Sequence, residues 1–162
     1  MPNVPHVLGL VLWLAVTFAA AGVGGAASAN AGAFYGQLQR PGSAPPPWLF
    51  APVWTVLYLM QGVAAWQVWR TAGFRGASVP LALFLVQLVA NALWSWLFFA
   101  WRQGAWALAE ILVLWVLIVA TIAGFWRVQP LAGVLLVPYL LWVTFAAALT
   151  HALWRLNPRL LG

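Results

Sequence analysis

Aromatic and amide side chains recur at helical spacing in three apolar stretches of this sequence. The three series are Trp54, Tyr58 and Gln61; Gln87, Asn91, Trp94 and Phe98; and Pro138, Trp142, Ala146 and Leu149, with Tyr139 and Phe145 beside the last. Residues spaced i, i+4 and i+7 lie on one face of a helix. Such polar groups can hydrogen-bond between helices, or they can anchor a hydrophobic ligand in an aromatic pocket. Periodicity alone leaves both interpretations open.

Few side chains are available for acid–base chemistry. Glu110 is the only acid, and it lies near enough to Arg102 to pair with it; a buried counter-ion or proton carrier is the alternative interpretation. His151 is expected to be a packing residue, with haem ligation as the second interpretation. The sequence has no Cys, no carboxylate pair and no phosphate-binding glycine motif. Conventional hydrolysis and ATP-driven pumping are therefore excluded, and no metal site is expected.

The composition requires a membrane environment. Of the 162 residues, 65% are hydrophobic and 5% are charged, whereas roughly a quarter of an ordinary soluble domain is charged. A soluble protein of this size needs a polar surface, which so few charged side chains cannot supply. The 13 Trp residues argue against disorder. The Arg residues form no cluster that would bind nucleic acid.

Five apolar stretches are long enough to cross the bilayer core, which is about 30 Å thick, as helices. They are expected near residues 5–27, 46–70, 80–101, 105–126 and 131–155. None alternates as a barrel strand does, so the sequence predicts an all-α integral membrane protein, a five-helix bundle with a single domain over residues 1–162. The Pro-rich first loop, 28–45, is expected to be a stiff lid or a tether. The first stretch also resembles a signal peptide, although no Lys or Arg precedes Arg40.

Charged and indole side chains mark the ends of the predicted spans. Five spans place Arg70, Arg75 and Arg127 on the N-terminal side and Arg40, Arg102, Arg155 and Arg159 on the other. Three against four is no bias, so the positive-inside rule assigns no orientation. Most Trp residues at span ends fit a membrane-interface belt. Trp54, Trp94, Trp115 and Trp142 lie deeper and fit a pocket or interior packing instead.

Several motifs resemble those of the TspO/MBR family, the translocator protein family. They follow the family order over residues 30–157, at 34–41 (FYGQLQRP), 45–58 (PPPWLFAPVWTVLY), 87–91 (QLVAN) with Trp94, 104–108 (GAWAL) and 138–142 (PYLLW). The resemblance favours a first transmembrane helix over a signal peptide. It also implies a bacterial-type member in a bacterial cell membrane, and a homodimer as the expected assembly.

The resemblance implies a protein that binds tetrapyrroles such as protoporphyrin IX and haem between its helices, under the first loop. Carried over by motif, the walls would be Trp54, Tyr58, Asn91, Trp94, Trp106, Ala109, Trp142, Phe145, Ala146 and Leu149, with Pro45, Pro46 and Trp48 at the mouth. The helical face adds Gln87. Transport, sensing, and oxidative or photo-oxidative breakdown of the bound porphyrin are the alternative functions. In that breakdown, Trp54 and Trp142 would be the catalytic pair.

The sequence also departs from the family pattern. Ser43 and Ala44 stand where the family has a Trp before its Pro-Pro, so the lid is expected to clamp a ligand less firmly. His151 and Ala152 occupy the Tyr positions of the sterol motif, which argues against cholesterol. Residues 82–86 (ALFLV) replace the small-residue dimer motif of animal members, which argues against close helix approach there.

Overall fold

The computed structural model describes residues 4–162, and within this range the secondary structure is helical. The α-helices are α1 Val4–Ala27, α2 Ala31–Gln37, α3 Phe50–Gly76, α4 Ser78–Ser95, α5 Gly104–Val128, α6 Pro130–Leu156 and α7 Pro158–Leu161. A 3₁₀ turn, Pro47–Leu49, precedes α3, and a π-helical turn, Trp96–Ala100, continues α4. In this range α1, α3, α4, α5 and α6 are long and apolar enough to cross a membrane. The all-α class with five transmembrane helices is confirmed.

The ends of the long helices follow local backbone signals. Pro47 opens the turn before α3, because proline is tolerated in a first helical turn. Gly73 interrupts the helical geometry of α3 at φ 70°, a conformation that glycine adopts readily. The predicted end of this span, residue 70, lies just before that interruption. The span predicted over 80–101 ends in the π-helical turn, where the Trp101 N–H donates to the Trp96 carbonyl at 2.8 Å.

The five spanning helices form a closed ring in the order α1, α3, α6, α5, α4. The half of the bundle remote from α2 is solidly packed. There Phe84 stacks on Phe125 with centroids 5.6 Å apart, and Val68 and Leu136 are buried in the same cluster. Large apolar side chains also cover the outer surface, where Leu12 and Val89 are exposed. Lipid tails are as apolar as these side chains, so a bilayer satisfies such a surface.

The first loop differs from the expectation because it contains helix α2. Its sequence, AGAFYGQ, includes two glycines, so the helix depends on packing rather than on propensity. Phe34 and Tyr35 are buried, and Phe34 packs on Phe98 with centroids 6.1 Å apart. Asn157 fastens the loop beyond α2: it accepts from the Gln39 N–H and donates to the Gln39 carbonyl, both at 2.8 Å. The loop is therefore held against the end of α6.

Helix α1 is a packed member of the ring. Trp13 is buried against Phe84 with centroids 5.9 Å apart, and the Trp66 Nε1 donates to the His6 carbonyl at 2.7 Å. Gly62 on α3 allows α1 to approach closely. A Cβ at Gly62 would lie 2.6 Å from Leu14 Cδ2 and 3.3 Å from Leu14 Cα.

We predict that Gly62→Ala destabilises the α1–α3 contact by about 1–3 kcal/mol, the usual cost of overpacking. Gly22→Ala on α1 is the matched control, since a Cβ there meets no atom within 4 Å. Both changes gain the same helix propensity, about 1 kcal/mol. Thermal unfolding of the detergent-solubilised variants, followed by circular dichroism, measures the difference. Equal melting temperatures for the two variants would show that Gly62 is not a packing position.

Candidate ligand-binding cavity

A cavity of about 470 Å³ lies in the half of the bundle next to α2. Helices α1, α3, α4 and α6 form its walls, the π-helical turn contributes at one side, and α2 lies at its end. Its volume falls in the range of about 300–1,000 Å³ that is typical of small-molecule sites. The lining is mostly apolar, and its polar side chains are Asn91, Tyr58, Tyr35, Ser28, Thr55, Ser95 and Thr150.

The indoles that α3 and α6 contribute to the cavity meet by an edge. Trp54 and Trp142 lie with centroids 6.5 Å apart and planes at 90°. Trp54 also contacts Tyr58 at 5.6 Å, and Trp142 contacts Phe145 at 5.6 Å. Edge contacts are favourable for aromatic pairs. They also leave ring surface free, and both indoles border the open space.

Trp94 contributes a third indole from α4. It stacks on Phe98 with centroids 5.3 Å apart and planes at 13°. Its Nε1 is buried, and no hydrogen-bond acceptor for it is found among the described residues. A buried N–H without a partner is costly. Trp94 borders the cavity, but its Nε1 is buried and is not exposed to the open space.

Asn91 is held at the cavity by a buried chain of hydrogen bonds that joins α3, α4 and α6. The Asn91 Nδ2 donates to the Tyr139 hydroxyl at 3.0 Å, and that hydroxyl donates to Gln87 Oε1 at 2.7 Å. The Gln87 Nε2 in turn donates to Gln61 Oε1 at 3.0 Å. All four side chains are buried. The interhelical interpretation of the amide residues therefore applies to Gln61 and Gln87, while Asn91 also borders the cavity.

Tyr35 on α2 connects the loop to the cavity. It borders the space, and its hydroxyl donates to the Pro45 carbonyl at 2.9 Å. The Arg40 guanidinium lies 4.9 Å from the centre of the ring. Burial raises the pKa of Tyr35 above its usual value, although the nearby charge of Arg40 acts in the opposite direction. The hydroxyl therefore stays protonated at ordinary pH and keeps its bond to the Pro-rich segment.

The structure brings eight of the predicted site residues together at the cavity. They are Trp54, Tyr58, Asn91, Trp94, Trp142, Phe145, Ala146 and Leu149. Their common position follows from the helical faces and from the antiparallel order of the helices. Gln87 lies one turn deeper, where it supports Asn91 through Tyr139 rather than bordering the space.

Five predicted site residues lie outside the cavity. Trp106 is 68% exposed and Ala109 is exposed, because the face of α5 that points into the bundle carries Ala107 and Ile111 instead. Trp48 is 72% exposed on the 3₁₀ turn. Pro45 and Pro46 do not border the space either, and Pro47 takes that place. The carbonyl of Pro45 still contacts the site indirectly, through Tyr35.

One face of α1 borders the cavity and was not predicted. It carries Phe18, Ala21, Gly24 and Gly25, and Ser28, just beyond the helix, borders the space as well. Their spacing of three or four residues is a helical-face signal, but the small side chains gave no sign of chemistry. Phe50, Thr55, Ser95 and Phe99 are further residues of the lining that were not predicted.

The two remaining ionisable candidates lie away from the cavity lining. Both Glu110 carboxylate oxygens are buried without a partner in the described residues, so the expected pairing with Arg102 is wrong. The Arg102 guanidinium instead lies 4.3 Å from the centre of the Phe34 ring. His151 is exposed and contacts the edge of Trp154, with centroids 6.5 Å apart. Within residues 4–162 no group of three metal-ligating side chains is found.

The fold and the site define a five-helix integral membrane protein with an aromatic-lined cavity under a tethered loop. A model of the TspO/MBR family matches residues 11–155. Protein CrtK of Rhodobacter capsulatus is 39% identical over 147 residues, which cover 89% of this chain and 92% of that protein. The chain therefore belongs to the TspO/MBR family, as the motifs indicated.

Other relatives include bacterial and animal proteins. Tryptophan-rich protein TspO of Chlorobaculum tepidum is 42% identical over 126 residues, covering 77% of this chain and 80% of that protein. The translocator protein of Homo sapiens is 40% identical over 126 residues, which cover 76% of this chain and 75% of that protein. With five spanning helices and close bacterial relatives, the chain is a multi-pass protein of a bacterial membrane.

We predict that Tyr139→Phe destabilises the bundle by about 1–3 kcal/mol, because two buried hydrogen bonds are lost and Gln87 Oε1 is left without a donor. Tyr58→Phe is the matched control, since Tyr58 borders the cavity and no hydrogen bond of its hydroxyl is found among the described residues. Unfolding in mixed detergent measures the free energy of unfolding of both variants. A Tyr139→Phe protein as stable as Tyr58→Phe would contradict the structural role of the network.

Proposed function

We propose that this protein binds a flat tetrapyrrole, protoporphyrin IX or haem, in the cavity next to α2. The observation that carries the proposal is the orthogonal pair of Trp54 and Trp142, whose rings border a cavity of about 470 Å³. A planar macrocycle stacks on one indole face while the second indole contacts its edge. The resemblance of the motifs to the translocator protein family supports the same ligand class.

Polar groups at the walls suit the edges of such a ligand. The Asn91 amide is oriented by Tyr139 and belongs to a side chain that borders the cavity. Four Arg residues lie at the α2 end of the bundle, at positions 40, 102, 155 and 159. Guanidinium groups pair well with carboxylates such as porphyrin propionates. The apolar cavity therefore lies at the end of the bundle that carries these cationic side chains, none of which belongs to its described lining.

The ring, rather than a bound iron, accounts for recognition in this proposal. The described residues that border the cavity include neither His nor Cys, and His151 lies on the exposed surface. Axial ligation of haem by those residues would need them within bonding distance of the iron. Stacking and edge contacts are available to protoporphyrin IX and to haem alike.

Trp54→Ala combined with Trp142→Ala is expected to weaken protoporphyrin IX binding by on the order of tenfold to a hundredfold, because aromatic contacts are worth about 0.5–1.5 kcal/mol each beyond burial. Trp106→Ala, which changes an exposed Trp outside the cavity, is the matched control and should leave the affinity unchanged. Titration with absorbance detection measures binding without relying on Trp fluorescence. Unchanged affinity in the double variant would refute the site.

Protoporphyrin IX and haem are expected to bind with dissociation constants within about threefold of each other. Both ligands present the same ring and the same carboxylates, and the cavity lining offers no His or Cys to the iron. Parallel titrations of the protein in detergent check this. The contrary result is a much higher affinity for haem than for protoporphyrin IX, with the difference lost in His151→Ala or Tyr58→Phe. That result would show that the protein recognises the iron.

A further inference from the structure

A second, smaller pocket lies beside the cavity on the surface of the bundle. It has a volume of about 260 Å³ and lies between the end of α1, the residues that lead into α2, and the π-helical turn. Phe99 borders both this pocket and the cavity. Phe99 contacts the edges of Trp94 and Phe98 at 5.7 and 5.0 Å. π-Helical turns frequently occur at functional sites.

Arg102 supplies the charge of this pocket in an unusual conformation. It is the only residue other than glycine with positive φ in the described range, at 54°. Its guanidinium lies 4.3 Å from the centre of the Phe34 ring, which fixes the charge without neutralising it. The only acid of the sequence, Glu110, has no hydrogen-bond partner among residues 4–162 and so does not pair with Arg102. Backbone strain of this kind is characteristic of functional sites.

The balance of charge in the pocket favours an anion. Apart from Arg102, the polar side chain of the lining is Asn30, and the other residues are Ala, Phe and Trp. The carboxyl end of α1, at Ala27, contributes a partial negative charge of about half a unit. The full charge of the guanidinium outweighs it. A planar guanidinium is also the preferred protein partner of a carboxylate.

We propose that this pocket, centred on Arg102 and closed on its inner side by Phe99, binds a carboxylate of the ligand and is the lateral entrance of the cavity. The inference rests on the proposed binding of a tetrapyrrole. Arg102 holds the carboxylate at the membrane interface, and the apolar ring passes Phe99 into the cavity. The site thus selects planar apolar molecules that carry an acidic group.

The test compares protoporphyrin IX with its dimethyl ester, which has the same ring and no free carboxylate. Wild type, Arg102→Gln and the control Arg127→Gln are titrated in phosphatidylcholine nanodiscs. Arg127 lies in the last turn of α5, at the opposite end of the bundle. Arg102→Gln is expected to weaken binding of the diacid by about tenfold and that of the ester by less than twofold. Arg127→Gln should change neither. Each ligand partitions into the lipid to the same extent with every variant, so this partition cancels when the affinity of a variant is divided by that of the wild type.

Arg102→Gly separates the role of the charge from an effect on folding. Glycine adopts φ 54° without strain, so this variant should melt no lower than Arg102→Gln and should show the same selective loss of diacid affinity. Equal losses for diacid and ester, or no loss for either, would overturn the entrance site. A parallel experiment in nanodiscs that contain phosphatidylglycerol tests the lipid alternative. If Arg102→Gln binds less of that anionic lipid and keeps its preference for the diacid, the pocket belongs to a lipid headgroup and the entrance site is overturned. Wild type that binds neither porphyrin would instead refute the proposed function itself.

Discussion

Buried hydrogen bonds between side chains of different helices hold the interior of this protein together, because no water is available there to replace them. A bilayer offers no partner to a buried amide, so Gln61 Oε1, Gln87 and Asn91 bond to side chains of neighbouring helices, whereas the Gln61 Nε2 has no acceptor among the described residues. The Tyr139 hydroxyl lies at the centre of that arrangement, and its bonds of 2.7 and 3.0 Å hold α4 and α6 at a fixed separation. The cavity lies directly beside this network, since Asn91 belongs to both.

The two halves of the bundle serve different purposes. Away from α2, large aromatic residues such as Phe84 and Phe125 fill the interior and give the ring of helices its solid core. Next to α2, Trp54 and Trp142 contact each other by an edge and leave open space beside them. Close packing in the half remote from α2 holds the helices together there. The same helices can therefore stay apart in the half next to α2 and leave the cavity open.

Local features of this chain, such as span length and helical faces, were predictable from its sequence, whereas features that depend on contacts between helices were not. The five spans were predictable, because length and hydropathy decide whether a helix crosses a bilayer. Helical spacing also placed Trp54, Tyr58 and Asn91 on inward faces. Motif transfer placed Trp106 in the wall, where α5 instead turns it outward. Helix α2 escaped prediction because its seven residues are stabilised by burial of Phe34 and Tyr35, which propensity does not report.

The sequence by itself determined that this chain lies in a membrane, crosses it five times and carries indoles and amides on the same helical faces. Only the tertiary structure decided which of those side chains face a space and which face each other. Gln87 and Asn91 share a face, yet one turn of depth makes Gln87 a partner of Gln61 and leaves Asn91 at the cavity. Likewise, the bundle alone decided that Arg102 stacks on Phe34 rather than pairing with Glu110. Sequence spacing determines which way a side chain points around its own helix. The depth of that side chain in the bundle and its contact partners depend on how the neighbouring helices are shifted and rotated against that helix.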